Sequence, residues 1–343
     1  MPDQLVNRHP EVPPSRLIAE MIPPPRFAEV SFETYVPDPA EPSQERAVTA
    51  LRAFAGRIGE SQGRRGWFGR RAAPPAGRPG VYLDGGFGVG KTHLLASLWH
   101  AVAVPAELKT FCTFVELTNL VGALGFATAV EALSGRLLVC IDEFELDDPG
   151  DTVLVSTLLT RLTEAGVKTA ATSNTLPDKL GEGRFAADDF LREIQALAAR
   201  FDVLRIDGED YRHRGLPAAP QPVASADTVT AVATAYGPGG ALDDFDALCR
   251  HLSTVHPSRY GPLLDGVSRV HLRDVHPVDD QSIALRLVVL ADRLYDRGIS
   301  VVASGVPLDR LFTGELLAGG YRKKYYRAVS RLVALSRETT ARS

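Results

Sequence analysis

The sequence has 343 residues, of which 45% are hydrophobic and 23% are charged, and its formal net charge is −4. This length and composition predict a globular protein with at least one well-buried core and with room for two domains. The slightly acidic balance excludes a global basic field of the kind that drives nonspecific nucleic-acid binding, although a local basic patch is compatible with it.

The cysteines and the apolar runs bear on the compartment of the protein. Its three cysteines, Cys112, Cys140 and Cys249, lie far apart, which fits small buried side chains better than a metal site or a disulfide framework. No apolar run reaches the length of about 18 residues that a membrane span needs, and residues 1–4 do not begin like a signal peptide. We therefore expect a reducing, cytoplasmic location and no transmembrane segment.

The first 80 residues contain a proline-rich arm, a helix and a basic loop. The arm, residues 1–40, is either a loosely packed extension or a segment that lies across a partner or a neighbouring domain. The helix begins near Ser43, and Gln44 at its start is a candidate for seating a nucleotide base. The loop over 61–80 carries Arg64 to Arg71 with two aromatic residues, and it either contacts nucleic acid or docks on its own domain.

A glycine-rich stretch matches the phosphate-binding pattern G-x-x-x-x-G-K-[ST], the P-loop. An apolar strand over 80–83 precedes it and an apolar helix over 93–102 follows it, which is the order that the motif requires. Backbone N–H groups of the turn would face a β-phosphate, Lys91 would reach the β/γ oxygens, and the Thr92 hydroxyl would bind Mg²⁺. The residues predicted to contact the nucleotide are Gly85, Gly86, Phe87, Gly88, Val89, Gly90, Lys91, Thr92 and His93.

An unbroken apolar run ends in two acids, Asp142 and Glu143. Such a run is typical of a parallel strand that is buried on both faces, and ligands lie at the carboxyl ends of these strands. Together with the P-loop, this pattern indicates the acids of a nucleotide hydrolase (Walker B). Asp142 is predicted to hold Mg²⁺, and Glu143 is predicted to polarise the attacking water.

Further strands and helices alternate along the same part of the chain. A strand over 108–117 and a helix over 118–132 come before the two acids, and a strand that ends at Asn174 comes after them. Asn174 is predicted to donate to the γ-phosphate and to hold the water (sensor 1), with a simple turn former as the alternative. The alternation predicts a three-layer α/β domain with a mostly parallel sheet.

The last third of the chain is predicted to form a second domain. A linker rich in proline and alanine, residues 216–222, marks the boundary. Beyond it the pattern predicts helices and strands in alternation, and then a final helix that is basic on one side. We predict an N-terminal arm over 1–40, an ATPase core over 41–207 and a C-terminal α/β domain that resembles a lid over 208–343.

The order of the three site motifs is similar to that of AAA+ ATPases, and longer motifs resemble the ZapE family of bacterial cell-division ATPases, which has mitochondrial relatives. The acids lie in IDEFELDD, similar to the family's IDEF-x-x-x-D. Other family motifs are TSN-x-x-P-x-x-L, DYR, F-x-x-LC, LYD, VPL with L(Y/F)TG, and SRL; their counterparts lie at residues 172–180, 210–212, 245–249, 294–296, 306–314 and 330–332. The resemblance covers most of residues 26–335. The family's HFH-x-FM segment is missing, and residues 111–118 read FCTFVELT in its place.

The resemblance implies an activity and partners as well as a fold. It implies a P-loop AAA+ core that binds ATP and Mg²⁺, hydrolyses ATP, and remodels or regulates a protein client, such as a division-ring component or a membrane-associated protein. It also implies a homo-oligomer, for instance a hexamer. The P-loop ending Gly90 to Leu94 is also common in helicase loaders and replication initiators, which leaves a nucleic-acid-associated ATPase as the alternative.

The resemblance further implies two arginine roles. An arginine finger would reach the nucleotide of the neighbouring subunit and neutralise charge in the transition state. Arg184, Arg192 and Arg200 are candidates, and Arg184 is preferred because it lies in the loop before the helix that carries Arg192. A lid arginine, Arg327 or Arg331, would contact the phosphates of its own subunit, with a solvated basic helix as the alternative.

Overall fold

The computed structural model describes residues 2–11, 13–63, 77–86, 88–145, 149–176, 191–209, 221–222 and 225–340. The chain divides into two compact units. The P-loop unit comprises Pro13–Pro23 and Phe27–Tyr211, and the C-terminal unit comprises Met1–Val12, Pro24–Arg26 and Arg212–Ser343. The residues that we predicted as one N-terminal arm are therefore divided between both units.

The P-loop unit contains a five-stranded parallel sheet in the order β2-β3-β4-β1-β5. Its strands are β1 (Gly80–Gly85), β2 (Lys109–Thr113), β3 (Leu138–Asp142), β4 (Lys168–Ser173) and β5 (Phe201–Ile206). Its helices are α1 (Pro14–Ala19), α2 (Pro42–Gly63), α3 (Lys91–Ala101), α4 (Phe114–Leu124), α5 (Phe126–Ser134), α6 (Pro149–Glu164) and α7 (Leu191–Ala198).

Helices cover both faces of this sheet. On one face the side chains of α4, α5 and α6 form a continuous core with alternate residues of β1, β3 and β4, among them Tyr82 and Ile141. The helix α3 lies against β1, β3 and β4 as well, and its apolar residues Leu94 and Leu98 are fully buried. Every residue of β1 and β3 is buried, as expected for central parallel strands. The predicted three-layer α/β class with a parallel sheet is confirmed.

One predicted strand is shorter than the sequence indicated. We expected a strand over 108–117, but β2 ends at Thr113 and α4 begins at Phe114. Thr113 and Glu116 form a reciprocal capping box, in which each side chain accepts from the backbone N–H of the other residue. This cap satisfies two N–H groups at the helix start and outweighs the strand preference of the residues that follow.

Membrane-spanning potential is limited in the part of the chain that the structure describes. No single helix there is long and apolar enough to cross a bilayer. In the described residues, only α4 and α5 taken together have the length and apolar composition of a membrane span, and the two helices are bent by 119° relative to each other.

The C-terminal unit is a smaller α/β structure around a three-stranded parallel sheet in the order β6-β7-β8. Its strands are β6 (Gly240–Asp244), β7 (Arg269–Val275) and β8 (Ser300–Gly305). Its helices are α8 (Ala226–Tyr236), α9 (Phe245–Thr254), α10 (Tyr260–Leu263), α11 (Gln281–Asp296), α12 (Gly314–Ala318) and α13 (Arg322–Thr340). The predicted α/β character of this part of the chain is confirmed.

The first residues of the chain complete the core of the C-terminal unit. Asp3 forms a parallel bridge with Ala241 at the edge of β6. The Leu5 side chain is fully buried, among the apolar residues of this unit. The carboxylate of Asp243 accepts hydrogen bonds from the backbone N–H groups of Leu5, at 3.0 Å, and Val6, at 3.2 Å. The N-terminus is therefore an integral part of this unit.

Candidate functional site

The site lies where the central strands of the P-loop unit end. The pairing register places Asp84 of β1 opposite Ser173 of β4, and Thr113 of β2 opposite Asp142 of β3. The P-loop follows β1, and Glu143 and Asn174 come directly after β3 and β4. Because all of these strands are parallel, their carboxyl ends meet at one edge of the sheet, where ligands bind in such folds.

The glycines of the P-loop have backbone conformations that other residues rarely adopt. Gly88 and Gly90 have positive φ, at 65° and 88°. A Cβ on Gly85 would lie 2.2 Å from the carbonyl oxygen of Ile206, so this position admits glycine alone. These constraints explain the spacing of glycines in the motif. Phe87, which was also predicted to contact the nucleotide, lies outside the described residues.

Lys91 joins the P-loop to the end of β4. Its Nζ donates to Oδ1 of Asn174 at 2.9 Å, and to the carbonyl oxygens of Gly85 at 2.9 Å and Gly86 at 2.5 Å. The structure thus brings together the lysine and the asparagine that the sequence placed 83 residues apart. Both polar groups lie over the glycine turn, where an ammonium and an amide can act on the same phosphate.

Thr92 and Asp142 form the second cluster of the site. The Thr92 hydroxyl donates to Oδ2 of Asp142 at 3.0 Å, and it lies 3.3 Å from Oδ1. The Asp142 side chain is buried, and its Oδ1 also accepts from the hydroxyl of Thr172. The structure therefore brings together the two residues that were predicted to hold Mg²⁺.

Thr172 is a site residue whose role the sequence reasoning missed. Its hydroxyl donates to Asp142 and accepts from the backbone N–H of Glu143 at 3.1 Å. Its carbonyl oxygen accepts from the backbone N–H of Phe144 at 2.7 Å. The residue is buried, and it holds the backbone that carries both acids. The available signal was its place in the Thr-Ser-Asn motif, two residues before Asn174.

Glu143 has an unusual backbone conformation. Its φ is +56°, in the left-handed region, which is uncommon for residues other than glycine. Such a conformation costs about 1–2 kcal/mol relative to the right-handed one. The hydrogen bond from Glu143 N to Thr172 helps to hold it. Strained backbone of this kind concentrates at functional sites, where it aims a side chain that a relaxed strand end would not present in the same way.

The residues of the site fit a magnesium-bound nucleoside triphosphate. One carboxylate and one hydroxyl, both hard oxygen ligands, lie side by side in Asp142 and Thr92, and such sites bind Mg²⁺ through one or two protein ligands together with phosphates and water. Among the described residues there is no group of three or more His, Cys, Asp or Glu residues that could enclose a metal ion. The positive-φ glycines leave the backbone open to a close approach by phosphate.

His93 and Gln44 each bond to residues of the N-terminal arm. The Nε2 of His93 lies 3.0 Å from the Thr34 hydroxyl and 3.1 Å from the Ser31 carbonyl oxygen, so the ring bonds to the arm. Gln44 accepts from the N–H of Asp38 at 2.8 Å and donates to the carbonyl of Asp207 at 2.8 Å. Both bonds of Gln44 are to backbone groups, and its role in seating a base stays a prediction.

The structure describes two of the three candidates for the arginine finger, Arg192 and Arg200. Arg184, the preferred candidate, lies outside the described residues, as does the basic loop over Arg64 to Arg71. Arg192 is exposed on α7, and Arg200 donates to the Thr160 hydroxyl at 2.8 Å. The finger assignment stays a prediction.

The two candidate lid arginines are buried in the C-terminal unit. Arg327 forms an ion pair with Asp292 at 2.8 Å, and Arg331 pairs with the other carboxylate oxygen of the same residue. Both arginines lie on α13, and Asp292 lies on α11, so the ion pairs join the two helices. A role in contacting phosphate stays a prediction.

The sheet order and the placement of these residues define the class of protein. The P-loop follows the first strand, the two acids lie at the end of β3, and an asparagine follows β4. On a parallel sheet ordered β5-β1-β4-β3-β2, these features make this a P-loop ATPase fold of the AAA+ type. The AFG1-like ATPase family matches residues 11–238 and 224–343, and the chain belongs to this family.

Individual proteins are also similar to the chain in sequence or in structure. Cell division protein ZapE of Escherichia coli is 28% identical over 308 residues, which cover 76% of this chain and 78% of that protein. This similarity and the family match confirm the resemblance to the ZapE family. Two solved structures are similar at low identity. DnaI is 18% identical and covers 55% of this chain and 93% of its own, with a TM-score of 0.39. The replication initiator DnaA bound to AMPPCP and single-stranded DNA is 12% identical and covers 92% of this chain and 89% of its own, with a TM-score of 0.40.

Proposed function

We propose that this chain binds ATP with Mg²⁺ at the P-loop, hydrolyses it, and uses the resulting change of shape to remodel or regulate a protein partner in cell division. The observation that carries the proposal is the pair of hydrogen bonds that join the P-loop to the ends of β3 and β4. These are Thr92 to Asp142, at 3.0 Å, and Lys91 to Asn174, at 2.9 Å.

Each of these residues has a role in this proposal. Lys91 and the N–H groups of the glycine turn hold the β- and γ-phosphates, and Thr92 and Asp142 hold Mg²⁺. The bound ion would neutralise negative charge on the phosphate oxygens. Glu143 takes a proton from the attacking water, and Asn174 donates to the γ-phosphate and orients that water. The hydrogen bonds of Lys91 with Asn174 and of Thr92 with Asp142 support this assignment, because they bring the four groups together beside the P-loop.

The choice of partner rests on the family and on the similarity to cell division protein ZapE. We propose a protein client of the division machinery and a homo-oligomer, for instance a hexamer, in which an arginine such as Arg184 completes the neighbouring site. A cytoplasmic location is part of the same proposal.

Two substitutions test the nucleotide chemistry. Lys91→Ala should abolish ATP binding, because it removes the cation that faces the phosphates. Glu143→Gln should bind ATP with the wild-type affinity and release phosphate at least about 100-fold more slowly, in the range found for loss of a general base. Glu131→Gln, which removes an exposed carboxylate on α5, is the matched control and should hydrolyse ATP normally. Hydrolysis by Glu143→Gln at the wild-type rate would show that the catalytic assignment is wrong.

The same Glu143→Gln protein tests the proposed partner. Incubated with ATP and Mg²⁺, it should retain a division protein that the protein incubated with ADP does not retain. Addition of DNA tests the alternative function, a nucleic-acid-associated ATPase. A salt-dependent stimulation of hydrolysis by DNA, together with no retention of a division protein, would replace the proposed client with nucleic acid.

A further inference from the structure

A segment from the N-terminal part of the P-loop unit lies directly on the P-loop. We call residues 31–38 the strap. Within it, the hydroxyl of Tyr35 donates to the carbonyl oxygen of Val89 at 2.8 Å. The Tyr35 ring also lies against Gly90, where a Cβ atom would come within 2.5 Å of Tyr35 Cε2. The ring and the hydroxyl therefore contact the two residues that precede Lys91.

The bond to Val89 fixes the direction of the next N–H group. In a planar trans peptide, the C=O of Val89 and the N–H of Gly90 point in opposite directions. Because Tyr35 holds the carbonyl on the strap side, the N–H of Gly90 points away from the strap. A phosphate cradle needs its N–H groups turned toward the ligand and its carbonyls turned away from it.

This peptide needs such a restraint because Gly90 is flexible. Gly90 has φ 88° and ψ 22°, and no side-chain cap bonds to the start of α3. Glycine adopts positive and negative φ almost equally well, so rotation of the Val89–Gly90 peptide has little intrinsic cost. The rotated peptide would direct a carbonyl oxygen toward the phosphates and repel them.

The strap itself is fastened at both ends. At one end, Nε2 of His93 lies 3.1 Å from the Ser31 carbonyl, and the His93 ring meets the Tyr35 ring edge-on at 5.6 Å. At the other end, Asp38 N donates to Gln44, which in turn donates to the Asp207 carbonyl.

We infer that Tyr35 is a positioning residue that holds the Val89–Gly90 peptide in the orientation that binds phosphate. The inference rests on the proposed binding of ATP. It accounts for His93, since this residue joins α3 to the strap, and it gives the proline-rich N-terminal region a role at the nucleotide site.

The test compares Tyr35→Phe with the wild type, using ATP and inorganic tripolyphosphate as separate probes. The substitution keeps the ring and removes the hydroxyl that donates to Val89. The dissociation constants of both probes should rise about three- to tenfold, the range for one lost hydrogen bond. At saturating ATP most of the turnover should remain, so that KM rises more than kcat falls. Tyr326→Phe, at an exposed tyrosine of α13, is the matched control.

Tripolyphosphate separates this role from a contact with the base. If Tyr35→Phe weakens ATP and leaves tripolyphosphate unchanged, or if it changes neither, the inference is overturned. If the wild type binds neither probe, the proposed function fails, and the inference fails with it. Wild-type binding together with equal losses for both probes supports the inference.

Discussion

The positive φ of Glu143 gives a stability prediction that is independent of its catalytic role. Replacement by Ala and replacement by Gly both remove the carboxylate, so the two variants differ only by a Cβ atom. At φ +56° this atom costs about 1–2 kcal/mol, whereas Gly loses about 0.4–1 kcal/mol more in unfolded-chain entropy than Ala does. Glu143→Gly should therefore be more stable than Glu143→Ala by about 1 kcal/mol.

Thermal unfolding without nucleotide measures this difference. For a unit of about 200 residues, 1 kcal/mol corresponds to roughly 2–4 °C in the midpoint of the transition. The control is the same pair at Glu131, in the middle of α5, where Ala should be more stable than Gly by about 1 kcal/mol. If Ala is at least as stable as Gly at position 143, the backbone of this residue is not strained.

Two further predictions concern hydrogen-bonded carboxylates. Thr172→Val should slow ATP hydrolysis by about tenfold or more and lower the unfolding free energy by about 2–3 kcal/mol, because Asp142 loses one of its donors and the N–H of Glu143 loses its acceptor. Thr172→Ser, measured beside it, should retain most of the activity and most of the stability. The Asp246 carboxylate, 2.8 Å from His276, raises the pKa of that histidine. This pair stabilises the folded state fully below pH 6.5, the pKa of an unperturbed histidine, and the stabilisation is lost as pH rises through the raised pKa of His276. Asp246→Asn removes the carboxylate and should therefore lower the pKa of His276 measured by NMR titration.

The sequence was most informative where the chemistry depends on local motifs. Lys91, Thr92 and Asp142 lie in short patterns whose residue types are dictated by phosphate and Mg²⁺, and parallel strands must bring their carboxyl ends to one edge. The contacts of Lys91 with Asn174 and of Thr92 with Asp142 follow from that rule. The fold class was predictable for the same reason, because strands and helices alternate along the chain.

Other features depend on contacts that no local pattern encodes. The role of Thr172 arises from the register of β4 against β3, which places its hydroxyl beside Asp142. Tyr35 lies 54 residues before its acceptor Val89, and its sequence neighbourhood indicates only a proline-rich segment. The early start of α4 depends on one capping box, which offsets the β-branched and aromatic residues around Thr113.

The burial of Leu5 has a consequence for when the C-terminal unit can fold. Leu5 is synthesised well before its partner, because the Asp243 carboxylate that accepts from its backbone N–H follows 238 residues later. The C-terminal unit thus completes its core only when the segment around Leu5 meets a segment that is synthesised much later. Such closure is slow relative to local folding, because its entropy cost must be met before the contacts form. A deletion that removes Asp3 and Leu5 would therefore act mainly on the C-terminal unit, more than 200 residues away in sequence.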